Sequence, residues 1–216
     1  MKKILLLTLM VLGTITLTAQ DQDRDRDQTR LMLVDGDVLQ IRDRDQIRLQ
    51  DRITLNDGTV LNPDGTYQTR DRKQLRLQDG ECLDMDGIKY RNEYQYRYKV
   101  KQENKGLAEA RIHERNQNRV HFMFVDGEVL QVRNQSQNRL QNQLNLASGG
   151  IVNPDGTYQT RDRKQLRLQD GECLNMDGEK FQNMHQHRKT MIKKQMKKKG
   201  IKKPVIPKKK GKKSSS

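Results

Sequence analysis

Across 216 residues the chain carries 43 Lys and Arg against 28 Asp and Glu, a formal net charge of +15, with 32% hydrophobic residues and no Trp. An apolar content this low excludes one large domain with a deep interior and favours small domains with thin cores. No Gly-rich phosphate loop and no Ser, His or Cys constellation of a nucleophilic site occurs, so the expectation is a non-enzymatic protein without a cofactor.

The chain opens on Lys2 and Lys3, an apolar run from Ile4 to Leu17, and Thr18-Ala19-Gln20 as a small-residue cleavage site. At about 14 residues that run is too short to cross a bilayer, so residues 1–19 read as a signal peptide, with a retained anchor as the alternative. The expected location is periplasmic or extracellular, with no transmembrane segment after signal cleavage. Residues 20–30 are too polar to bury anything and read as a disordered leader.

The middle of the chain is a duplication. Asn62 to Leu83 recurs without change as Asn153 to Leu174, and the same offset relates Val34-Asp35-Gly36 to Val125-Asp126-Gly127. This sets copies at 31–97 and 122–188. Asp-Gly pairs punctuate the first copy at 35–36, 57–58, 64–65, 79–80 and 86–87. Asp-Gly between apolar stretches is a strong hairpin signal, because both residues accept positive φ. Leu31 to Val34 and Val38 to Ile41 flank the first turn as strands. Ile47, Leu49, Ile53 and Leu55 lie two apart, interrupted at Asp51, and Leu75 and Leu77 repeat the spacing. The fold class is therefore all-β: two small antiparallel β-meander modules. The alternating charges at 42–45 and 70–72 read as solvated strand edges. In the second copy Asn138 replaces Ile47 and Ser148-Gly149 replaces Asp57-Gly58, which predicts a weaker sheet. Between the copies, residues 98–121 form a linker with a helix candidate from Gly106 to Ile112.

Leu55 to Thr66 and Asp79 to Gly87, with a second match at Leu146 to Thr157 and Asp170 to Gly178, resemble an uncharacterised Asp-Gly-rich domain of secreted proteins from Bacteroidota-type bacteria. Because many members are rich in Met and Lys, the resemblance implies soft-metal binding. In this chain Arg, Gln and Asp hold most of those positions, leaving Met32, Met85, Met123 and Met176.

Several residues are candidate ligands. Cys82 and Cys173 occupy equivalent positions and are a disulfide candidate in an oxidising compartment, with inert buried thiols as the alternative. They also join Met184, His185 and His187 as soft-metal candidates, since His-x-His on an extended segment places both imidazoles on one face. Asp84-Met85-Asp86-Gly87 begins like a calcium loop but lacks its later acidic ligands, so turn chemistry is the simpler reading. His113 and His121 stand alone and signal nothing.

From Lys180 onward there is no Asp or Glu, so the whole positive excess lies there. Residues 189–216 read as a disordered basic tail. Lys193, Lys194, Lys197, Lys198, Lys199, Lys202, Lys203, Lys208, Lys209 and Lys210 are its candidate contacts with anionic envelope glycans, lipids or other polyanions, nucleic acid included but without specificity. Three functional classes follow: a binding or structural protein tethered by the tail, a periplasmic copper-type binder, and an extracellular nucleic-acid binder.

Overall fold

The structure, a computed structural model, describes residues 29–198, with side chains as far as Lys194. Residues 1–19, read as a signal peptide, and residues 20–28, read as a leader, lie outside the described residues, as do the tail positions from Lys199 onward. Thr29 and Arg30, read as the end of the leader, are already buried in a strand.

The all-β expectation and the duplication both hold. Each copy contributes a long hairpin, β1 (Thr29–Val34) with β2 (Asp37–Arg48) and β9 (Val120–Val125) with β10 (Glu128–Arg139). A four-stranded meander follows in each: β3 (Ile53–Thr54) to β6 (Gln74–Arg76), and β11 (Leu144–Asn145) to β14 (Gln165–Arg167). Each copy closes with a short hairpin, β7 (Cys82–Asp84) with β8 (Lys89–Tyr90) or β15 (Cys173–Asn175) with β16 (Lys180–Phe181). Asp35-Gly36 and Asp126-Gly127 turn the long hairpins with positive φ at both positions, at +50° and +76° and at +55° and +95°, as a two-residue hairpin loop requires.

The copies are not separate domains. One eight-stranded antiparallel sheet runs through both, in the order β16-β15-β1-β2-β10-β9-β7-β8. The long hairpin of each copy pairs with the short hairpin of the other, β1 with β15 and β9 with β7. The cores cross over in the same way. Phe122, Phe124 and Val129 of the second copy pack into Leu55, Leu61, Tyr67, Leu77 and Leu83 of the first. Leu31, Leu33 and Val38 of the first pack into Leu140, Leu146, Val152, Tyr158, Leu168 and Leu174 of the second. This exchange resolves the thin-core problem, because each meander covers a surface that its own copy cannot supply.

Gly65 and Gly156 sit where the exchange is tightest. At φ +83° and +87°, an added Cβ would lie 2.6 Å from the Phe124 ring and 2.9 Å from a Leu33 methyl of the opposite copy. The Asn-Pro-Asp-Gly-Thr segments are therefore turns shaped for close approach as well as for chain reversal. Asp64 and Asp155 fix them by accepting from the backbone N–H and hydroxyl of Thr66 and Thr157.

The other face of the sheet is covered by helices. Sequence reading found only α2 (Glu109–Asn116), near its Gly106–Ile112 candidate. α1 (Glu93–Glu103) and α3 (Met184–Lys198) occupy equivalent places at the end of each copy. Their signal was an Asn-x-x-Gln pair. Asn92 Oδ1 accepts from Gln95 N at 3.0 Å while Gln95 Oε1 accepts from Arg91 N, and Asn183 and Gln186 repeat the pattern. Lys189 to Lys198, placed in the disordered tail, are thus helical.

Other expectations change with this geometry. Ile47 is 54% exposed, so its replacement by Asn138 removes nothing from a core, and the argument for a weaker second sheet loses that support. Leu75 is 47% exposed while Leu77 is buried, so the two do not share a buried face. The run at 42–45 is no solvated edge: β2 is a central strand and Asp43 is buried.

Candidate functional site

The centre of the long sheet holds a buried ionic cluster on an approximate two-fold axis between the copies. β2 and β10 pair with Asp43 opposite Asn134, and one residue bulges from each strand beside them, Arg44 and Gln135. The bulges turn Gln46 and Gln137 toward the same pocket as Asp43 and Asn134. α1 and α3 lie over this spot, and each sends in an arginine from its second turn, Arg97 and Arg188. Every one of these polar groups has its counterpart at the repeat offset.

Glu93 is the hub. Its Oε1 accepts from Arg97 Nη2 at 2.8 Å and Arg188 Nη2 at 2.7 Å, and its Oε2 accepts from Arg188 Nε at 2.8 Å. Asp43 accepts from Arg188 Nη1 at 2.8 Å and Arg97 Nη2 at 3.4 Å, and pairs with Arg30. Each helix arginine also crosses to the opposite copy, Arg97 to Asn134 and Gln137 at 3.1 Å and Arg188 to Gln46 at 2.7 Å. Asn116 of α2 docks the linker on the second bulge by donating to Gln137 O and accepting on its own carbonyl from Asn134.

The cluster is symmetric in position but not in chemistry. Where the first copy has Arg30, Asp43, Glu93 and Tyr96, the second has His121, Asn134, Met184 and His187. Three guanidiniums therefore face two carboxylates, with both histidines neutral. Burial opposes charge on Asp43 and Glu93, yet the surrounding arginines outweigh it and hold both carboxyls below the usual range. Burial lowers the Arg30 pKa against the attraction of Asp43, while Glu93 and Asp43 overcome burial to raise that of Arg188.

His121 lies flat on Tyr96 with ring centroids 4.4 Å apart, its Nε2 3.5 Å from Glu93 but not aligned for a hydrogen bond. His187 meets Phe181 edge-on, and burial, helped by Arg30 and Arg188, pushes its pKa down to about 2. Burial also lowers that of His121. Above the unfolded value near 6.5 neither state binds these protons, so the groups add nothing to the pH dependence. Below it the unfolded chain takes up protons that the folded chain refuses, and stability falls. Each histidine should remove up to about 1.4 kcal/mol per pH unit on descending from pH 6.5, before Asp43 and Glu93 add to the loss near pH 4 and below. Urea unfolding at pH 7.5 and pH 5 measures this, and His187→Phe should flatten the upper part of the profile.

The sequence-derived ligands do not converge. Cys82 and Cys173 are free and buried. Four strands lie between β7 and β15, so the thiols are roughly 24 Å apart at the usual strand spacing, which excludes an intrachain disulfide in this fold. Burial pushes the Cys173 thiol up to about 12 and Cys82 well above its ordinary value. Both should resist a thiol reagent in the native state and react fully in denaturant, a difference followed by absorbance.

The His-x-His pair is helical rather than extended, so its imidazoles diverge. His187 enters the core, whereas His185 sits in a cleft of about 330 Å³ between the two helix starts, 3.1 Å from Asp79. Met184 packs with Cys173 and Phe181 as core filler. Among the described residues no group of three His, Cys, Asp or Glu side chains is arranged to hold a metal. The Asp84 carboxylate is filled by Tyr90 Oη at 2.7 Å, Lys99 Nζ at 3.0 Å and two backbone N–H groups, in agreement with turn chemistry. Of the polyanion candidates, Lys193 and Lys194 are exposed on α3, and Lys197 and Lys198 continue that helix. No described helix is long and apolar enough to cross a membrane.

Fold and cluster together define a class: a tandem-repeat β protein whose copies exchange hairpins around a shared ionic centre. The chain belongs to the family described as Domain of unknown function (DUF6799), whose model matches it twice, at residues 28–88 and 119–179. The matches end before α1 and α3, so both helix arginines and Glu93 lie outside them. Searches of curated proteins and of solved structures each find no match.

Proposed function

We propose that this is an exported, non-enzymatic binding protein in which the duplicated β scaffold anchors a basic C-terminal segment that attaches to polyanions. One observation carries the reading: the helix leading into the lysine run is rooted in the core. Arg188 and Met184 are buried in its first two turns, and exposed lysines begin little more than one turn further on, at Lys193. Force on the tail is thereby transmitted to the ionic cluster instead of to a loose end. The two buried acids are filled by the three buried arginines, which leaves them to hold the copies together and not to process a substrate. The apolar run at Ile4 to Leu17 supports export.

Lysines without interleaved aromatics favour unspecific, salt-sensitive attachment to anionic glycans or lipid headgroups. The test compares the mature chain with one in which Lys197, Lys198, Lys199, Lys202, Lys203, Lys208, Lys209 and Lys210 are Gln. Retention on anionic lipid vesicles at low salt should be lost in the variant and weakened by salt in the parent. Retention that survives neutralisation, or a parent that ignores salt, defeats the reading.

A further inference from the structure

The outer faces of the two meanders carry a second surface that the tail does not explain. In the second copy β13 (Thr157–Gln159) and β14 pair with Thr157 opposite Arg167 and Gln159 opposite Gln165, which aligns these four side chains on one face. They line a shallow groove of about 540 Å³ together with Asn153 and Ile151. In the first copy Thr66, Gln68, Gln74 and Arg76 stand in the same register. The core is on the other side, where Tyr158 and Leu168 are buried.

Two features mark these faces. First, Arg76, Arg167, Gln68, Gln74, Gln159 and Gln165 make no side-chain hydrogen bond or ion pair among the described residues. Arg48, Arg119 and Arg139 are paired with acids, while Arg52, Arg91 and Arg111 share the unpaired state of Arg76 and Arg167. Second, the stretch from Asn62 to Leu83 is identical in both copies at its exposed positions as well as its buried ones. Beyond it exposed positions have diverged, as Arg44 to Gln135, Asp51 to Asn142 and Ile88 to Glu179. Packing accounts for Tyr67, Leu77 and Gly65. It does not account for Gln74, Arg76 or the exposed Arg70-Asp71-Arg72-Lys73 loop.

We infer that the two meander faces are equivalent binding grooves for an acidic oligosaccharide, one in each copy. Side-chain amides offer the paired donors and acceptors that sugar hydroxyls require, and a guanidinium attracted only at longer range, by Asp64 or Asp155, receives a carboxylate or sulfate on two parallel N–H groups. The Arg70 and Lys73 loop, with its equivalent at Arg161 and Lys164, extends the positive field beyond each groove. Tyr158, which lines the groove, and its counterpart Tyr67 are each 5% exposed and present little ring face to a nucleobase, which disfavours single-stranded nucleic acid. Two identical grooves on one rigid scaffold suit a polymer with repeated acidic units, since the second contact is then intramolecular.

The full mature chain tests this in a background with Lys197, Lys198, Lys199, Lys202, Lys203, Lys208, Lys209, Lys210, Lys212 and Lys213 changed to Gln, which removes ten of the 13 lysines from Lys189 onward. The probes are a heparin hexasaccharide, an oligogalacturonate of equal length, a neutral dextran oligomer and an oligothymidylate of matched charge. Two equivalents of an acidic sugar should bind, with shifted side-chain amide signals of Gln159 and Gln165. Arg76→Glu with Arg167→Glu should weaken binding at least about tenfold at an unchanged melting temperature. Sulfated and carboxylated probes separate the two sources of negative charge. Unchanged affinity in the double variant, no saturable binding in the tail-neutralised background, or equal binding of oligothymidylate overturns the proposal. Loss of vesicle attachment on tail neutralisation bears only on the tail, so the two readings fail separately.

Discussion

Glu93→Gln is expected to cost about 3–5 kcal/mol, much of the stability of a protein this size, because it leaves two helix arginines facing each other without their shared acid. Three guanidiniums would then answer to Asp43 alone, in a site where every member is buried. An exposed pair provides the comparison. Arg48 and Glu128 are 38% and 40% exposed, so Glu128→Gln should change stability by less than about 1 kcal/mol. Adding Arg188→Met to Glu93→Gln should recover at least half of the loss, since it removes the stranded charge and supplies an apolar side chain of similar length. Denaturant unfolding measures all four proteins. A Glu93→Gln variant that melts with the parent would mean that water or local rearrangement solvates the arginines, and the cluster would not be the fastener of the copies.

The second large effect concerns chain continuity. Cleavage between Lys105 and Gly106, an exposed turn after α1, should leave one particle of the original mass under native conditions, because both the sheet and the cores cross the cut. A monomer of the first copy alone should not fold. It lacks Phe122, Phe124 and Val129, whose burial contributes on the order of 1.5–3 kcal/mol each, together comparable with the whole stability of a small domain. Sedimentation of the nicked protein and the NMR dispersion of the isolated copy decide the matter. A well-dispersed spectrum from a monomeric first copy would show that the exchange is dispensable.

The sequence revealed what local chemistry controls. Asp-Gly pairs gave the turns, period-two apolar residues gave the strands, and identity between distant segments gave the duplication. Partner choice was not legible, because Leu31-Met32-Leu33-Val34 presents the same alternation to the short hairpin of either copy. The ionic centre was hidden for a related reason. Asp43 lies in a run of alternating charges that looks like a solvated edge, and only its central strand and the helix above it make the position internal. Arg97 and Arg188 sit in polar helices whose apolar stripes are weak, so their burial follows from the sheet bulges that receive them. His121 gave no sign of its place until the offset aligned it with Arg30. The two cysteines illustrate the opposite error: equivalence in a repeat suggested proximity, whereas an approximate two-fold placed them toward opposite ends of one sheet.

The pairing of β1 with β15, and of Arg30 and Asp43 with the neighbourhood of Arg188, joins the beginning of the described chain to its end. Such a fold cannot close until residues 173–188 have been made. The first hairpin waits for residues 173–175, and the cluster waits for a side chain more than 140 positions downstream of Asp43. Native contacts of this separation slow the search for the final structure. The polypeptide therefore spends its synthesis without a completed interior, open to any machinery that handles extended chains, and locks shut only after the root of the C-terminal helix has emerged.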